Sequence, residues 1–215
     1  MEKIRIAVVD DHNLFRKGII ALLAQKNEFI ISFEAENGKV LIENLIKNPV
    51  DVILLDLDMP TMTGYEAIEI VKDKFPDIKV LVLTLHDDDV TIAKMIGKGA
   101  NGFLAKDDSI DLVIKAIETV FEKDYFFTQK IIKVMEKMGD KSKPQSSSDK
   151  TISFTHREKE IIILICKEYS TKEIACKLNT SVRTVDWHRK NMYVKTNTKN
   201  SAGIVFFAVI NRLIQ

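Results

Sequence analysis

Apolar residues in the first 124 positions fall into short stretches of two alternating kinds. Continuous apolar or β-branched stretches predict strands that are buried on both faces, and they lie at Ile4–Val9, Phe29–Phe33, Val52–Leu55, Lys79–Leu83 and Gly102–Leu104. Stretches with helical spacing separate them, at Leu14–Leu23, Val40–Ile46, Tyr65–Phe75, Val90–Ile96 and Ile110–Phe121. This alternation predicts an α/β domain built on a doubly wound, five-stranded parallel sheet.

The chain changes character after residue 124. A helical pattern over 128–138 is followed by GDKSKPQSSSDK, residues 139–150, which holds no large apolar side chain and is typical of a flexible linker. Every later segment is helical in pattern: Glu160–Lys167, Thr171–Leu178, Val182–Lys195 and Ser201–Ile214. We therefore predict three parts: an α/β domain at 1–124, a linker helix and flexible linker at 125–150, and a small all-α, four-helix domain at 151–215.

Charge separates the two domains more sharply than composition does. Residues 1–124 carry 15 Lys and Arg against 23 Asp and Glu, whereas residues 125–215 carry 17 against 8, although the net charge is only +1. The basic half indicates a polyanionic partner.

No apolar stretch approaches the roughly 18 residues of a membrane helix, and the acidic N-terminus lacks the apolar core of a signal peptide, so we expect a cytosolic protein without membrane contact. Cys166 and Cys176 show no disulfide or metal spacing and are predicted to be buried free thiols.

Charged or hydroxyl-bearing residues stand where four of the predicted strands end. Asp10 and Asp11 follow the first strand, Asp56 the third, Thr84 the fourth and Lys106 the fifth. Because the carboxyl ends of parallel strands meet at one edge of a sheet, these side chains are expected to converge. Carboxylates suit Mg²⁺, Lys106 and Thr84 suit phosphoryl oxygens, and the central Asp56 is the natural nucleophile. Each residue alone would be an ordinary cap or surface charge, but the set predicts phosphoryl chemistry.

Four stretches around these residues resemble the receiver domain of two-component signalling: VVDDH (8–12), ILLDLDMPTMTG (53–64), VLTLH (82–86) and GFLAKDD (102–108). The resemblance implies a flavodoxin-like fold in which Asp56 accepts a phosphoryl group from a histidine kinase. It also implies that Mg²⁺ binds the side chains of Asp11 and Asp56 and the backbone carbonyl of Asp58, with Asp10 taking part directly or through water.

The same resemblance implies a conformational switch at Thr84 and Phe103. In receivers the threonine swings toward the phosphate and the aromatic residue turns inward. This chain has Phe103 rather than Tyr, so that side chain offers no hydroxyl to solvent or to a partner. Pro60 and Gly64 are expected to shape the loop after the phosphorylated strand.

The sequence leaves open two alternative functions for the first domain. The DLD of residues 56–58 also resembles the DxD signature of haloacid-dehalogenase-type phosphatases, in which the first Asp is phosphorylated and the second is a general acid. Its position after the third strand, and the acid pair that already ends the first strand, count against that class. A receiver that only dimerises, independently of phosphorylation, is the other alternative, and the complete acid–Thr–Lys set argues against it.

The basic domain is predicted to contain two helices joined by a short turn at residues 179–181. Thr155 and Glu158 have the spacing of a capping box at its first helix, and a threonine opens the second. On the helix after the turn, the side expected to face the core holds Val182, Val185 and Met192. The opposite side, which suits bases and phosphates in a major groove, holds Arg183, Asp186, Trp187 and Lys190.

Residues 154–200, FTHREKEIIILICKEYSTKEIACKLNTSVRTVDWHRKNMYVKTNTKN, resemble the LuxR-type helix-turn-helix, and with the receiver they are similar to the NarL/FixJ class of response regulators. The DNA contacts that the resemblance implies are Lys172, Arg183, Thr184, Asp186, Trp187, Lys190 and Lys199. Positions 186, 187 and 190 would face bases, and Lys172 and Lys199 the backbone. Asp186 departs from the common Lys, so it either accepts a hydrogen bond from a cytosine amino group or steers Lys190 and Arg183. His188 is expected to be a half-buried packing residue.

The last helix, Ser201–Ile214, is nearly apolar, and a domain of this size cannot easily bury all of it. Part of it is expected to form a two-fold dimer contact, as the corresponding helix does in this class. We therefore predict a phosphorylation-gated transcription regulator rather than a turnover enzyme. Its expected partners are a sensor histidine kinase and promoter DNA, which it would bind as a homodimer when phosphorylated.

Overall fold

The chain folds as two units, residues 1–126 and residues 127–215. A computed structural model describes residues 3–86, 88–141 and 152–213, except for the side chains of residues 140 and 141. The helix predicted as part of the linker belongs to the second unit, where it packs against the last helix. None of the described helices is both long enough and apolar enough to span a membrane.

Five parallel strands form the sheet of the first unit: β1 (Ile4–Val9), β2 (Phe29–Ala35), β3 (Val52–Leu55), β4 (Lys79–Thr84) and β5 (Gly102–Ala105). They lie in the order β2-β1-β3-β4-β5. The connecting helices are α1 (Asn13–Leu23), α2 (Gly38–Leu45), α3 (Gly64–Lys74), α4 (Asp89–Gly97) and α5 (Ile110–Lys123). The predicted doubly wound, flavodoxin-like fold is confirmed. The strand order reverses between β1 and β3, which opens a crevice at the carboxyl ends of those strands.

Alternate residues along the strands fill the two faces of this sheet. Ile6 of β1 and Leu54 of β3 lie in one apolar cluster with Leu23 of α1 and Ile117 of α5. Ile53, the neighbour of Leu54, points to the opposite face and is also fully buried. Because both faces are covered, the strands are continuously apolar, and their polar residues occur only where the strands end.

Short polar side chains fix where the helices of the first unit begin. The side chains that accept a hydrogen bond from the first turn of α2, α3, α4 and α5 are Asn37, Thr63, Asp88 and Ser109. Such caps satisfy backbone N–H groups that have no partner within the helix.

The second unit contains five helices among its described residues: α6 (Gln129–Lys141), α7 (His156–Cys166), α8 (Thr171–Lys177), α9 (Val182–Thr196) and α10 (Ser201–Ile210). Helices α7, α8 and α10 all pack against α9, and α6 packs against α10. The predicted capping box of Thr155 and Glu158 is present. Helix α8 begins at Thr171, as predicted, and the residue that caps it is Ser170, whose hydroxyl accepts a hydrogen bond from Glu173 N at 3.3 Å.

The last helix is shorter than predicted. It ends at Ile210 rather than at Ile214, because Arg212 adopts a left-handed backbone conformation with φ of 51°. A left-handed residue just after the last turn is a common way to end a helix. The apolar helix therefore has ten residues.

Candidate functional site

The carboxyl edge of the sheet holds one lysine shared between two aspartates. Lys106 Nζ lies 2.8 Å from Asp10 Oδ2 and 2.8 Å from Asp56 Oδ2, and none of these side chains is more than 7% exposed. Asp10 follows β1, Asp56 follows β3 and Lys106 follows β5, so the predicted convergence of these three residues is confirmed. Two carboxylates buried this close together would be costly without a cation between them.

The pKa values of Asp56 and Lys106 are both raised, but for different reasons. For Asp56, burial is the main cause of the higher pKa; the hydrogen bond from Lys106 opposes it, and the nearby Asp10 carboxylate adds to it. Burial works against the charged form of Lys106, but its hydrogen bonds to Asp10 and Asp56 outweigh burial and raise the Lys106 pKa. The edge therefore carries more negative charge than one lysine compensates, which favours a further cation.

Backbone groups hold the two carboxylates in place. Asp56 Oδ1 accepts a hydrogen bond from Leu57 N at 2.8 Å, and Asp10 Oδ1 accepts one from His12 N at 2.8 Å. The loop after β3 returns so closely that a Cβ on Gly64 would lie 2.0 Å from the backbone oxygen of Asp56. Gly64 is thus the residue that lets α3 begin beside the acidic edge.

A group of candidate ligands for a divalent cation, two carboxylates and one imidazole, lies at this edge. Asp10, Asp11 and His12 each offer one ligand atom, and these atoms lie within 4.8 Å of one another. The Asp11 side chain is 35% exposed, so a cation can reach it from solvent. Mg²⁺ prefers a few hard carboxylate oxygens and keeps several waters. The crowded carboxylates of Asp10 and Asp56 and the open position of Asp11 fit that ion.

The two predicted switch residues are buried. Thr84 has no exposed surface, and its hydroxyl accepts a hydrogen bond from His86 N at 3.3 Å. Phe103 of β5 is likewise enclosed. His86 Nε2 also lies 2.9 Å from Asp58 Oδ2, across the opening of the site. Sequence reasoning missed His86, because a single histidine after a strand gives no periodic signal.

Helix α9 presents a charged and aromatic side to solvent. Arg183, Lys190 and Trp187 are exposed, and Trp187 remains 60% accessible although its ring meets His188 edge-to-face with centroids 4.9 Å apart. Thr184 and Asp186 are half-buried between them, and the two predicted backbone contacts, Lys172 and Lys199, are exposed. All seven predicted DNA contacts are therefore reachable from solvent.

The inner side of α9 departs from prediction at one position. Val185 and Met192 are fully buried, as expected, but Val182 is 42% exposed. Val182 is the first residue of the helix, so it lies beyond the packed middle. Arg189 occupies the inner side instead, where its guanidinium donates hydrogen bonds to the hydroxyls of Thr171 and Ser201. Arg189 was missed because the pattern of charged residues predicts exposure.

One histidine and the two cysteines of the second unit differ in their burial. His188 is half-buried, and its Nδ1 has no hydrogen-bond partner among the described residues. Cys166 is largely enclosed, and burial raises its pKa to about 12. The prediction for Cys176 was wrong, because this residue is exposed on α8, a short helix whose buried residues are Ile174 and Ala175.

A doubly wound sheet with this Asp–Lys–Asp set at its carboxyl edge, followed by a helix-turn-helix with a basic outer side, defines a response regulator. The model of the response regulator receiver domain matches residues 6–118, and the model of bacterial regulatory proteins of the luxR family matches residues 152–208. The chain belongs to the two-component response regulators of the NarL/FixJ class.

Individual relatives extend this similarity over the whole chain. The transcriptional regulatory protein DegU of Brevibacillus brevis is 32% identical, with 97% of this chain and 94% of the relative covered. The oxygen regulatory protein NreC of Staphylococcus epidermidis is 30% identical over 98% of this chain and 99% of its own. A solved structure of the RcsB response regulator of Salmonella typhimurium is 25% identical, with a TM-score of 0.58 and coverage of 96% and 98%.

Proposed function

We propose that Asp56 accepts a phosphoryl group from a sensor histidine kinase in a Mg²⁺-dependent reaction, and that this modification controls promoter binding by a dimer of the chain. The observation that carries the proposal is the contact of Lys106 with both Asp56 and Asp10, each at 2.8 Å. A lysine already beside the nucleophile can neutralise a phosphoryl oxygen as soon as the group arrives.

The chemistry requires little from the protein beyond position and charge. A carboxylate oxygen of Asp56 attacks phosphorus in line, and the new O–P bond replaces the P–N bond to the kinase histidine. The electron pair of that bond returns to the imidazole, which takes a proton from solvent. Mg²⁺ held by Asp10, Asp11, Asp56 and the carbonyl of Asp58 would neutralise the phosphoryl charge.

The switch would follow from competition for one hydroxyl. The Thr84 oxygen now accepts a hydrogen bond from His86 N, and turning the side chain so that its hydroxyl donates to a phosphoryl oxygen would break that bond. Such a move would shift the segment that follows β4 and leave room near β5 for a change at Phe103. A buried hydroxyl that exchanges one partner for another is a two-state element of the kind that switches need.

Helix α1 supports docking of a kinase helix beside the acidic edge. Leu14 is 88% exposed and Leu22 45% exposed on α1, and both lie in line with Gly18 at helical spacing. A cavity of about 280 Å³ opens here, with Phe15, Gly18, Leu22 and Ile110 among its lining residues. An apolar side chain of a partner helix could enter this cavity while the partner's histidine approaches Asp56.

The outer side of α9 supports DNA binding in a major groove. Its exposed Arg183 and Lys190 suit phosphates or guanine, and Trp187 suits apolar contact with bases. The related RcsB is described as a response regulator with DNA interaction. We extend that activity to this chain, and a regulator of promoters would act in the cytosol.

We assign no turnover reaction to the acidic edge. A phosphatase of the DxD type would use the Asp58 carboxyl as a general acid next to Asp56. Here the Asp58 carboxyl lies 2.9 Å from His86 and is largely exposed, while Lys106 is the group that contacts Asp56. We expect no hydrolysis of p-nitrophenyl phosphate beyond the slow dephosphorylation of the protein itself.

Intact-mass analysis tests the phosphorylation. The chain would be incubated with acetyl phosphate, with and without Mg²⁺, beside the variant Asp56→Asn. We expect one added phosphoryl group that needs Mg²⁺ and is absent from the variant. An adduct of equal yield on Asp56→Asn would place the phosphoryl group elsewhere and overturn the assignment.

Selection of duplexes from a random DNA library tests the second part. Phosphorylated protein should enrich sequences with two related half-sites and bind them more tightly than Asp56→Asn does, across a range of salt concentrations. Equal affinity of the two proteins at every salt concentration would show that phosphorylation does not control DNA binding.

A further inference from the structure

Helix α10 is apolar on nearly every side. Its ten residues, SAGIVFFAVI, include one hydroxyl and no charge. The residues buried on it are Ser201, Ala202, Gly203, Ile204, Val205 and Ala208, while Phe206, Phe207, Val209 and Ile210 are half-buried. A helix that is apolar all round needs cover on every side. Helices α7 and α9 pack against it, and they cannot surround it.

Helix α6 supplies part of the missing cover. Ile131, Val134 and Met135 are buried, whereas Ile132 and Lys133 are exposed, so α6 has one buried side. The spacing of the buried residues is that of one face of a helix. The helix that α6 packs against is α10.

The two helices meet backbone to backbone near their ends. A Cβ placed on Gly139 of α6 would lie 3.3 Å from the backbone oxygen of Ile210 and 3.4 Å from its Cα. Only a residue without a side chain allows this approach without displacement. The close approach of the two helices therefore depends on glycine at position 139. It covers the end of α10 that holds Val209 and Ile210.

We propose that α6 is an intramolecular cap on the face of α10 through which two copies of this chain pair, so that capping and pairing exclude each other. The proposal rests on the proposed function, in which a dimer binds DNA. The face carries no charged side chain that would select a partner of different chemistry, whereas a second α10 offers a surface of the same apolar kind around a two-fold axis.

The cap has a built-in advantage over a second copy. Because α6 belongs to the same chain, its effective concentration at α10 is high, so the capped monomer is favoured at low protein concentration. Pairing then needs something that favours the uncapped form, such as two adjacent half-sites on DNA. This arrangement would keep the free protein monomeric until DNA brings two copies together, and the cap lowers the apparent DNA affinity by the fraction of chains that are uncapped.

A reversible disulfide tests the exclusion directly. The Cα atoms of residues 139 and 210 can be no more than about 5 Å apart, which lies within the usual range for a disulfide. The variant Gly139→Cys/Ile210→Cys would be made in a Cys166→Ala/Cys176→Ser background, and each single-cysteine variant in that background would serve as a control. The full chain would be compared oxidised and reduced by sedimentation and by binding to a duplex selected with the reduced protein.

We expect the oxidised variant to be monomeric and to bind the duplex at least about tenfold more weakly than the reduced variant. The single-cysteine controls should show no redox effect. An oxidised, cross-linked variant that pairs and binds like the reduced one would overturn the cap. Absence of DNA binding in both redox states and in the unmodified chain would instead count against the proposed function.

A charge introduced on each side of α6 provides an independent test. Val134→Asp would put a carboxylate on the buried side, and Lys133→Asp would put one on the exposed side. We expect Val134→Asp to raise the dimer fraction and the DNA affinity, and Lys133→Asp to leave the dimer fraction unchanged. Far-UV circular dichroism would show that both are folded, and a folded Val134→Asp that stays as monomeric as the unmodified chain would contradict the cap.

Discussion

The acidic edge of the receiver and the outer side of α9 hold their charges in opposite ways. At the acidic edge, Asp10, Asp56 and Lys106 are buried and paired with one another. On α9, Arg183 and Lys190 are exposed. The proposed function accounts for this difference. Phosphoryl transfer needs charges fixed in advance within a few ångströms of the reacting atoms, whereas DNA brings its own charges and gains affinity by releasing counterions.

This contrast predicts how substitutions should behave in the two regions. A change at the acidic edge alters the balance of buried charges, so it should affect stability and function together. A change on the outer side of α9 removes a group that is solvated in the free protein, so it should affect DNA binding and leave stability nearly unchanged.

Replacing Lys106 should have the largest effect on the folded state. Lys106→Met leaves the carboxylates of Asp10 and Asp56 buried without their cation, so we expect the free energy of unfolding to fall by about 3 kcal/mol. Urea denaturation at pH 7.5 without Mg²⁺ would measure the change. Lys17→Met is a control at an exposed ion pair, because Lys17 is 57% exposed and pairs with Glu34, and its loss should cost under about 1 kcal/mol. Equal losses in the two variants would contradict the importance of burial.

Lys72 is a buried lysine outside the acidic edge, and its protonation should also affect stability. Its ammonium group lies among α3, β4 and the turn before β5, where it donates hydrogen bonds to the carbonyl of Ile78 and to Asn101 Oδ1, each at 2.7 Å. Asn101 Oδ1 also accepts from Val80 N at 2.9 Å. Burial is the main cause that lowers the pKa of Lys72 from 10.5 to about 7. Above that pKa the neutral amine still has two protons for the two acceptors.

Stability should therefore rise with pH in a window set by Lys72. Between about pH 7 and 10.5 the unfolded chain holds a proton on Lys72 that the folded chain has released, so the free energy of unfolding increases with pH by up to about 1.4 kcal/mol per unit. Below pH 7 both states are protonated and this contribution to the slope disappears. Urea denaturation at pH 7.5 and pH 9 should show the increase in the unmodified chain and a smaller one in Lys72→Met. Parallel pH profiles of the two proteins would refute the assignment.

The residues of the acidic edge and of the outer side of α9 could both be predicted from the sequence, by different arguments. The edge residues Asp10, Asp56 and Lys106 were predictable because strand ends of a parallel sheet share an edge whatever the side-chain details. The outer residues of α9 were predictable from helical periodicity. Both arguments use only the position of a residue along an element, and that position is fixed by the pattern of apolar residues.

The residues that the sequence did not reveal are polar groups whose partners lie far along the chain. Lys72 and Arg189 are charged, and a charged residue is ordinarily assigned to the surface. Their burial depends on distant acceptors such as Asn101 and Ser201. The contact of α6 with α10 was missed for a related reason, since a helix next to a linker shows an apolar stripe without indicating what covers it.

Trp187 should matter for DNA binding and little for stability. It is 60% exposed and packs against His188 alone among the described aromatic residues, so Trp187→Ala should leave the urea midpoint nearly unchanged. The same variant should weaken binding to a selected duplex by about tenfold to a hundredfold, the range for loss of a specific base contact. Ile163→Ala, which removes a partly exposed apolar residue from α7, should leave affinity unchanged. A large loss of stability in Trp187→Ala would show that the ring serves packing instead.

Lys190 should give the smallest effect and the most specific one. Its side chain is exposed on α9, and where the ammonium group contacts a phosphate rather than a guanine, about one counterion is released on binding. Lys190→Ala should therefore reduce the slope of log affinity against log salt by about 0.9, with a loss of affinity that is greatest at low salt. Mass analysis should show unchanged phosphorylation of Asp56. Lys167→Ala, an exposed lysine after α7, controls for net charge; if it lowered the slope equally, the effect would belong to the overall charge of the domain and not to a contact of Lys190.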